Sequence, residues 1–329
     1  VTTGERPRVA LLGAEGSLAA LLAEWLPAAG FAPQSEPSGA EAVLAVWPGC
    51  GELPLHGAQV VLLVPVGAEV PAGVQRRVAE VVPLPDSRDV RSLFEWSKLL
   101  VSVLRTAAAA RRFVPNCSPM PLPNLDAQEL RARAPTLVAV GVSTGGPVAL
   151  QTFFGSLCGS TLPPIAIVQH IPPTFLEVLV ERLRQQTGYR LQVATAGEVL
   201  RAGTAYFAPA DAHLEIGYEG GQLVARHSAA PARRGHRPAA EVLFESCAEL
   251  PLRGVGVLLT GMGQDGAQAL LRLRQLGWAT VGQNEATCAI YGMPRAARQL
   301  GAIERELPLA DIGPFLTMLC RPRPPSQRD

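Results

Sequence analysis

The feature that most narrows the fold is a repeated pairing of short apolar runs with helix-length amphipathic segments. After residue 136, apolar runs at 137–140, 165–169, 255–259 and 279–283 alternate with helical patterns opening at Gly145 and running through 154, then at 175–186, 243–250 and 267–276, and residues 205–208 add a strand-like run. Strands separated by helices of this length imply a parallel sheet covered on both faces. Ligands bind such sheets beyond the carboxyl ends of the strands. The first hundred residues repeat the theme less regularly. An apolar run at 8–12 precedes a helical pattern at 17–26 that stops at Pro27 and Gly30; a second helix is expected at 40–47. Apolar runs at 60–64 and 78–82 follow, then a long amphipathic helix from Val90 to about Arg112. Next, Pro115, Pro119, Pro121 and Pro123 stand among turn formers without periodicity, the pattern of a semi-extended linker. The expected division is a smaller α/β domain at 1–112, a linker at 113–135, a larger parallel-sheet α/β domain at 136–321 and a tail at 322–329.

Composition removes several classes of function. The 329 residues carry 29 basic and 28 acidic side chains, a net charge of +1, against the clustered basic excess of a nucleic-acid binder. Lys98 is the only lysine, and the arginines are scattered. The longest apolar stretches, such as 60–66, fall far short of the ~18 residues that a membrane span needs. Residues 1–6 contain no apolar signal core, which argues against secretion. Six widely spaced cysteines without a CxxC pair read as reduced thiols and not as a disulfide framework or a zinc site. A soluble cytoplasmic protein without a metal is expected.

Three polar groups fall where strands of the second domain end. Gly141-Val-Ser143-Thr144-Gly145-Gly146 matches G-x-S-x-G, a sharp turn that lifts a serine hydroxyl toward solvent at a helix N-terminus. Ser143 could equally be a helix cap. Gln169-His170-Ile171-Pro172 closes the next strand. A serine is a weak nucleophile near neutral pH and needs a base within ~3 Å. Of the five histidines, His170 leaves the same sheet edge as Ser143, whereas His56, His213, His227 and His236 lie elsewhere or in less regular surroundings. Thr260-Gly-Met262-Gly-Gln-Asp265-Gly266 closes the strand at 255–259, and Asp265 could orient the imidazole of a triad. The same letters spell GxGxxG with Glu285 about twenty residues on, the dinucleotide fingerprint, although Asp265 would place a carboxylate where pyrophosphate should sit. A helix cap is the third reading of Asp265. The order Ser–His–Asp is neither the α/β-hydrolase order nor that of the common serine proteases.

Together with Tyr206-Phe-Ala-Pro209-Ala-Asp211-Ala-His213 and Gln283-Asn-Glu-Ala-Thr-Cys-Ala-Ile-Tyr-Gly-Met-Pro294, these segments resemble the ordered motif series of the CheB family, the chemotaxis receptor protein-glutamate methylesterases. The resemblance runs from about Thr136 to Leu319. It implies a Rossmann-like α/β domain without a nucleotide, a catalytic triad on Ser143, His170 and Asp265, and an oxyanion hole that includes the amide of Met262. The glycine-rich turn is expected to add the amide of Thr144, and no cofactor is expected. It further implies γ-glutamyl methyl esters on methyl-accepting chemoreceptors as substrates, with methanol released, and in many members deamidation of receptor glutamines. One departure is Arg237-Pro-Ala239-Ala-Glu241, where the family usually shows a serine and an aspartate; it bears on local contacts and not on the triad. Two rival functions remain: a non-catalytic chemosensory adaptor, and a dinucleotide-binding oxidoreductase.

The first domain more weakly resembles the family's receiver domain, without its phosphorylation chemistry. The positions of the acidic pair, the phosphoacceptor and the lysine fall at Gly13, Ala14, Val64 and Leu84, and no aspartate precedes Asp86. Glu15 could stand in for one metal ligand at most. Without the acidic pair, Mg²⁺ could not neutralise the charge of phosphoryl transfer. A degenerate receiver is expected, working by contact with a chemosensory partner such as a chemotaxis histidine kinase, or by covering the esterase face.

Overall fold

In the computed structural model the chain divides into two units, Val1–Val114 and Pro115–Asp329. The structure describes residues 6–50, 53, 59–65, 68–75, 77–84, 90–111, 135–157 and 161–320; the expected linker, apart from Pro135, and the expected tail lie outside them.

In the first unit, β1 (Arg8–Leu12), α1 (Gly16–Ala28), β2 (Ala32–Gln34), β3 (Ala42–Val46), β4 (Gln59–Val64), α2 (Ala72–Gln75), β5 (Glu80–Pro83) and α3 (Val90–Arg111) follow in order. The five strands form a parallel sheet in the order β2-β1-β3-β4-β5, the strand order of flavodoxin-like sheets. On α3, Leu100, Val103, Leu104 and Ala107 recur at helical spacing and bury one face against Leu44 and Leu63 of the sheet. Pro27 does not stop α1, which extends one residue beyond it before Gly30 turns the chain.

The helix expected at 40–47 is instead strand β3. Its Ala-Val-Leu-Ala-Val run is buried at every position, so periodicity could not tell strand from helix; its five residues suit a strand. This also moves the receiver comparison. Val64 closes the fourth strand, and the residue following the third is Trp47. At the carboxyl end of β1, Gly13 has φ +71°, and a Cβ there would collide with the backbone of Gly49 and Cys50. The turns after β1 and β3 are therefore in direct backbone contact.

In the second unit, β6 (Val138–Val142), α4 (Gly146–Gly155), β7 (Ile165–Gln169), α5 (Pro173–Thr187), β8 (Arg190–Val193) and β9 (Thr204–Phe207) form the first half. The hairpin of β10 (His213–Glu219) and β11 (Gln222–Ser228) follows. Then come α6 (Ala240–Ala248), β12 (Val255–Leu258), α7 (Ala267–Gln275), β13 (Ala279–Gln283), α8 (Met293–Gln299), β14 (Arg305–Leu307) and α9 (Leu309–Leu319). Seven parallel strands lie in the order β14-β13-β12-β6-β7-β9-β8. Apolar clusters cover both faces. Phe153, Phe154, Leu183 and Phe315 stand in one, and Phe244, Leu270, Trp278 and Met293 in the other. The chain leaves β6 toward β7 on one side and later returns to place β12 on the other. That reversal makes the carboxyl ends of β6 and β12 a topological switch point, where a crevice is expected. The hairpin was not anticipated. Its turn is Gly220-Gly221, both at positive φ as a two-residue hairpin turn requires.

Candidate active site

Strand register brings the polar groups together. Val142 pairs with Gln169, so Ser143 and His170 leave neighbouring strands side by side. Leu258 pairs with Gly141, which brings Thr260 opposite Ser143; the Ser143 N–H donates to the Thr260 carbonyl at 3.0 Å. Thr260 pins the turns further, donating through Oγ1 to the Thr144 carbonyl at 2.9 Å and accepting the Ile290 N–H at 2.9 Å.

Ser143 is not the cap of α4. That helix has Gly145 as its N-cap and no side-chain cap bond. The serine is also more enclosed than a solvent-facing turn suggests, at 8% exposure. Its Oγ lies 3.1 Å from His170 Nδ1, while His170 Nε2 lies 2.9 Å from Asp265 Oδ2. An ionised carboxylate accepts only, so Nε2 carries the proton and Nδ1 presents its lone pair to the serine hydroxyl. The serine on Nδ1 and the carboxylate on Nε2 reverse the commoner wiring of such triads.

Asp265 does not cap the helix that follows it, α7, whose N-cap is Gly266 with no side-chain bond. It caps a different one. Oδ2 accepts the Ala240 N–H at 2.7 Å and Oδ1 the Glu241 N–H at 3.0 Å, both in the first turn of α6. In return, Glu241 Oε2 accepts the Gly266 N–H at 3.0 Å, so each helix start receives a carboxylate from the other. Burial acts to raise the Asp265 carboxyl, but its hydrogen bonds to His170, Glu241 and Ala240 together hold it below the ordinary range. Glu241 moves the other way, raised by burial and then by the charge of Asp265. The dinucleotide reading of this loop loses its footing, because the Asp265 carboxylate is 2% exposed and fully engaged.

The remaining expected groups are the amides of Thr144 and Met262. Neither N–H has a hydrogen-bond partner among the described residues, and the Met262 side chain is 66% exposed. Three residues were not anticipated. Buried Gln169 donates through Nε2 to the carbonyls of both Ser143 and His170, each at 2.9 Å. This clasp exists only because residue 146 is glycine; a Cβ there would overlap the Gln169 amide. His213, fully buried, accepts the Ala239 N–H on Nδ1 and donates from Nε2 to the Pro231 carbonyl, fixing the turn before α6. His236, in that turn, stacks on His170 with ring centroids 3.9 Å apart and planes 6° from parallel. The glutamine immediately precedes His170 and was within reach of sequence reasoning; the histidines contact residues too distant in sequence to signal it. Among the described residues, no three His, Cys, Asp or Glu side chains converge as metal ligands would.

A family model described as CheB methylesterase matches residues 138–316. A protein-glutamate methylesterase/protein-glutamine glutaminase of Agrobacterium fabrum is 41% identical over 244 residues, covering 73% of this chain and 68% of the relative. One of Rhizobium johnstonii, carrying the same name with the number 1, is 46% identical over 179 residues, 54% of this chain and 51% of that protein. The chain thus spans between about half and two thirds of the length of these curated relatives. Among solved structures, the CheB methylesterase catalytic domain of Thermotoga maritima matches with a TM-score of 0.54 and 30% identity, covering 56% of this chain and 98% of that one.

Proposed function

The chain belongs to the CheB methylesterase family, and from that premise we propose that it is a serine hydrolase of protein glutamyl methyl esters, with methyl-accepting chemoreceptors as its substrates. The observation that supports this reading is the unbroken hydrogen-bond path from Ser143 Oγ through both ring nitrogens of His170 to Asp265. His170 Nδ1 takes the hydroxyl proton as Ser143 Oγ bonds to the ester carbonyl carbon. Asp265 stabilises the imidazolium that forms. The Thr144 and Met262 amides receive the developing oxyanion; one such donor is worth about 3 kcal/mol in the transition state. As the tetrahedral intermediate collapses, the carbon–oxygen bond to the methoxy group breaks and Nδ1–H protonates the leaving methanol. Water, deprotonated by the same nitrogen, then attacks the acyl carbon; the bond to Ser143 Oγ breaks, Nδ1–H returns the proton to Oγ, and the free glutamate leaves. An amide side chain follows the same path with ammonia leaving, so receptor glutamines are assigned as a second substrate class. Every proton is moved by a group of the chain itself, and no cofactor is invoked.

In the first unit, the residues closing the strands (Gly13, Ala14, Trp47, Leu84) offer neither carboxylate nor ammonium for aspartyl phosphorylation. We assign it a role by contact with a chemosensory partner, a histidine kinase among them. The test of the enzymatic reading is methanol release from a methylated chemoreceptor fragment by the full chain. Ser143→Ala should lower it about 10⁶-fold while leaving the melting temperature unchanged. Methanol release that survives the substitution would overturn the reading, and a wild-type chain that binds receptor without releasing methanol would make it an adaptor.

A further inference from the structure

A base that shuttles a proton must hold one ring orientation through two half-reactions. In-plane hydrogen bonds from Ser143 and Asp265 fix the edges of the His170 ring, but neither restrains its faces. We propose that His236 is the positioning residue for the general base: its ring covers one face of His170, blocks rotation out of the triad plane and offers a neutral π surface to the imidazolium formed in each half-reaction. The proposal rests on the esterase reading of this site.

The stack is close and flat, 3.9 Å between centroids and 6° between planes. It is also held from outside. Residues 233 and 236 exchange backbone hydrogen bonds at 2.9 Å in both directions, closing a tight turn. Arg233 Nη2 pairs with Glu245 Oε1 of α6 at 2.6 Å, and buried His213 anchors Ala239 just beyond. The two ends of this clamp meet at α6, the helix whose first turn holds Asp265. One element thus sets both the carboxylate at the edge of the His170 ring and the imidazole on its face.

The charged surroundings suit a neutral ring at position 236. Burial, and then the proximity of His170, lower its basicity, while Asp265 partly offsets them. His213 of β10, Glu241 and Glu245 on α6, and Arg233, Arg234 and Arg237 in its own segment are further titratable side chains around this turn. A neutral aromatic face attracts a cation above it. A second charged imidazole would repel one, so the arrangement works only while His236 is unprotonated.

The experiment compares His236→Ala and His236→Phe in the full chain. Both leave the backbone hydrogen bonds of the turn in place, and matched melting curves verify folding. In the alanine variant kcat for methanol release should fall about tenfold with KM unchanged, because a ring free to tilt spends less time aligned. Phenylalanine keeps the face without a titratable group and should restore kcat to within about threefold of wild type. The upfield ring-current shift of the His170 ring protons in NMR should vanish with alanine and persist with phenylalanine. Unchanged kcat with alanine overturns the proposal. So does a phenylalanine variant as slow as alanine, which would assign the effect to an imidazole N–H, and so does a loss carried by KM, which would assign it to substrate contact. A wild-type chain inactive on esters defeats the functional reading alone, and the ring-proton shifts then still decide whether the stack exists.

Discussion

The chain contains two parallel sheets whose carboxyl edges have been put to opposite uses. In the second unit the ends of β6, β7 and β12 deliver a serine, a histidine and a loop carrying an aspartate, and the backbone is held back by Gly146 so that the Gln169 amide can tie two of those ends together. In the first unit the equivalent edge is closed by main chain between β1 and β3. Gly13 and Gly49 let the turns after β1 and β3 meet backbone to backbone, and Trp47 stands where the third strand ends. Both edges rely on a missing Cβ. One absence makes room for a side-chain clasp that presents chemistry, and the other lets main chain fill the space where chemistry would sit.

The comparison breaks most visibly at Asp265. Replacing it by asparagine should lower kcat about 10⁴-fold, since the carboxamide no longer enforces the Nε2–H tautomer. The same change should alter acid stability. A carboxyl held below its ordinary 3.8 stabilises the fold above that pH and loses the contribution as pH falls through the folded value. Urea midpoints measured from pH 7 to pH 3 should therefore fall less steeply in the variant. At Gly146, alanine would push the Gln169 amide out of its clasp, and kcat should drop about 10²-fold. If kcat survives, the clasp does not align the site.

At Gly13 the counterpart substitution tests the closed edge. A Cβ at positive φ in contact with Gly49 and Cys50 should cost about 2 kcal/mol. For a unit of this size that lowers a calorimetric transition by about 10 °C. The smallest expected effect is none. Acetyl phosphate or beryllofluoride with Mg²⁺ should change neither the mass of the chain nor its methanol release. A stable phosphoryl adduct within residues 1–112, with raised activity, would show that the first edge is open after all.

What was legible in the sequence was local. An apolar run ending in a glycine-rich polar turn marks a strand end, so Ser143, His170 and Asp265 could be found without knowing which strands are neighbours. Strand β3 resembles a helix in sequence because burial on both faces erases the alternation that separates strand from helix. The hairpin of β10 and β11 leaves one local mark in the sequence, the Gly220-Gly221 turn. The wiring of His170 through Nδ1, the His236 stack and the exchange between Asp265 and Glu241 were out of reach. Each depends on contacts between residues 24 to 95 positions apart, and nothing in a local window encodes such closeness.

The exchange of carboxylates between the two helix starts has a consequence for how this molecule can decay. Ser143 and His170 make no bond through their side chains that the fold needs, but Asp265 closes the first turn of α6 with two backbone N–H groups. A lineage released from selection for hydrolysis could lose its serine or its histidine at little structural cost. Losing the aspartate would leave buried donors without an acceptor, at about 1–3 kcal/mol each. The aspartate should therefore be the last of the three to drift, and its presence alone in a descendant would be a record of folding and not of catalysis.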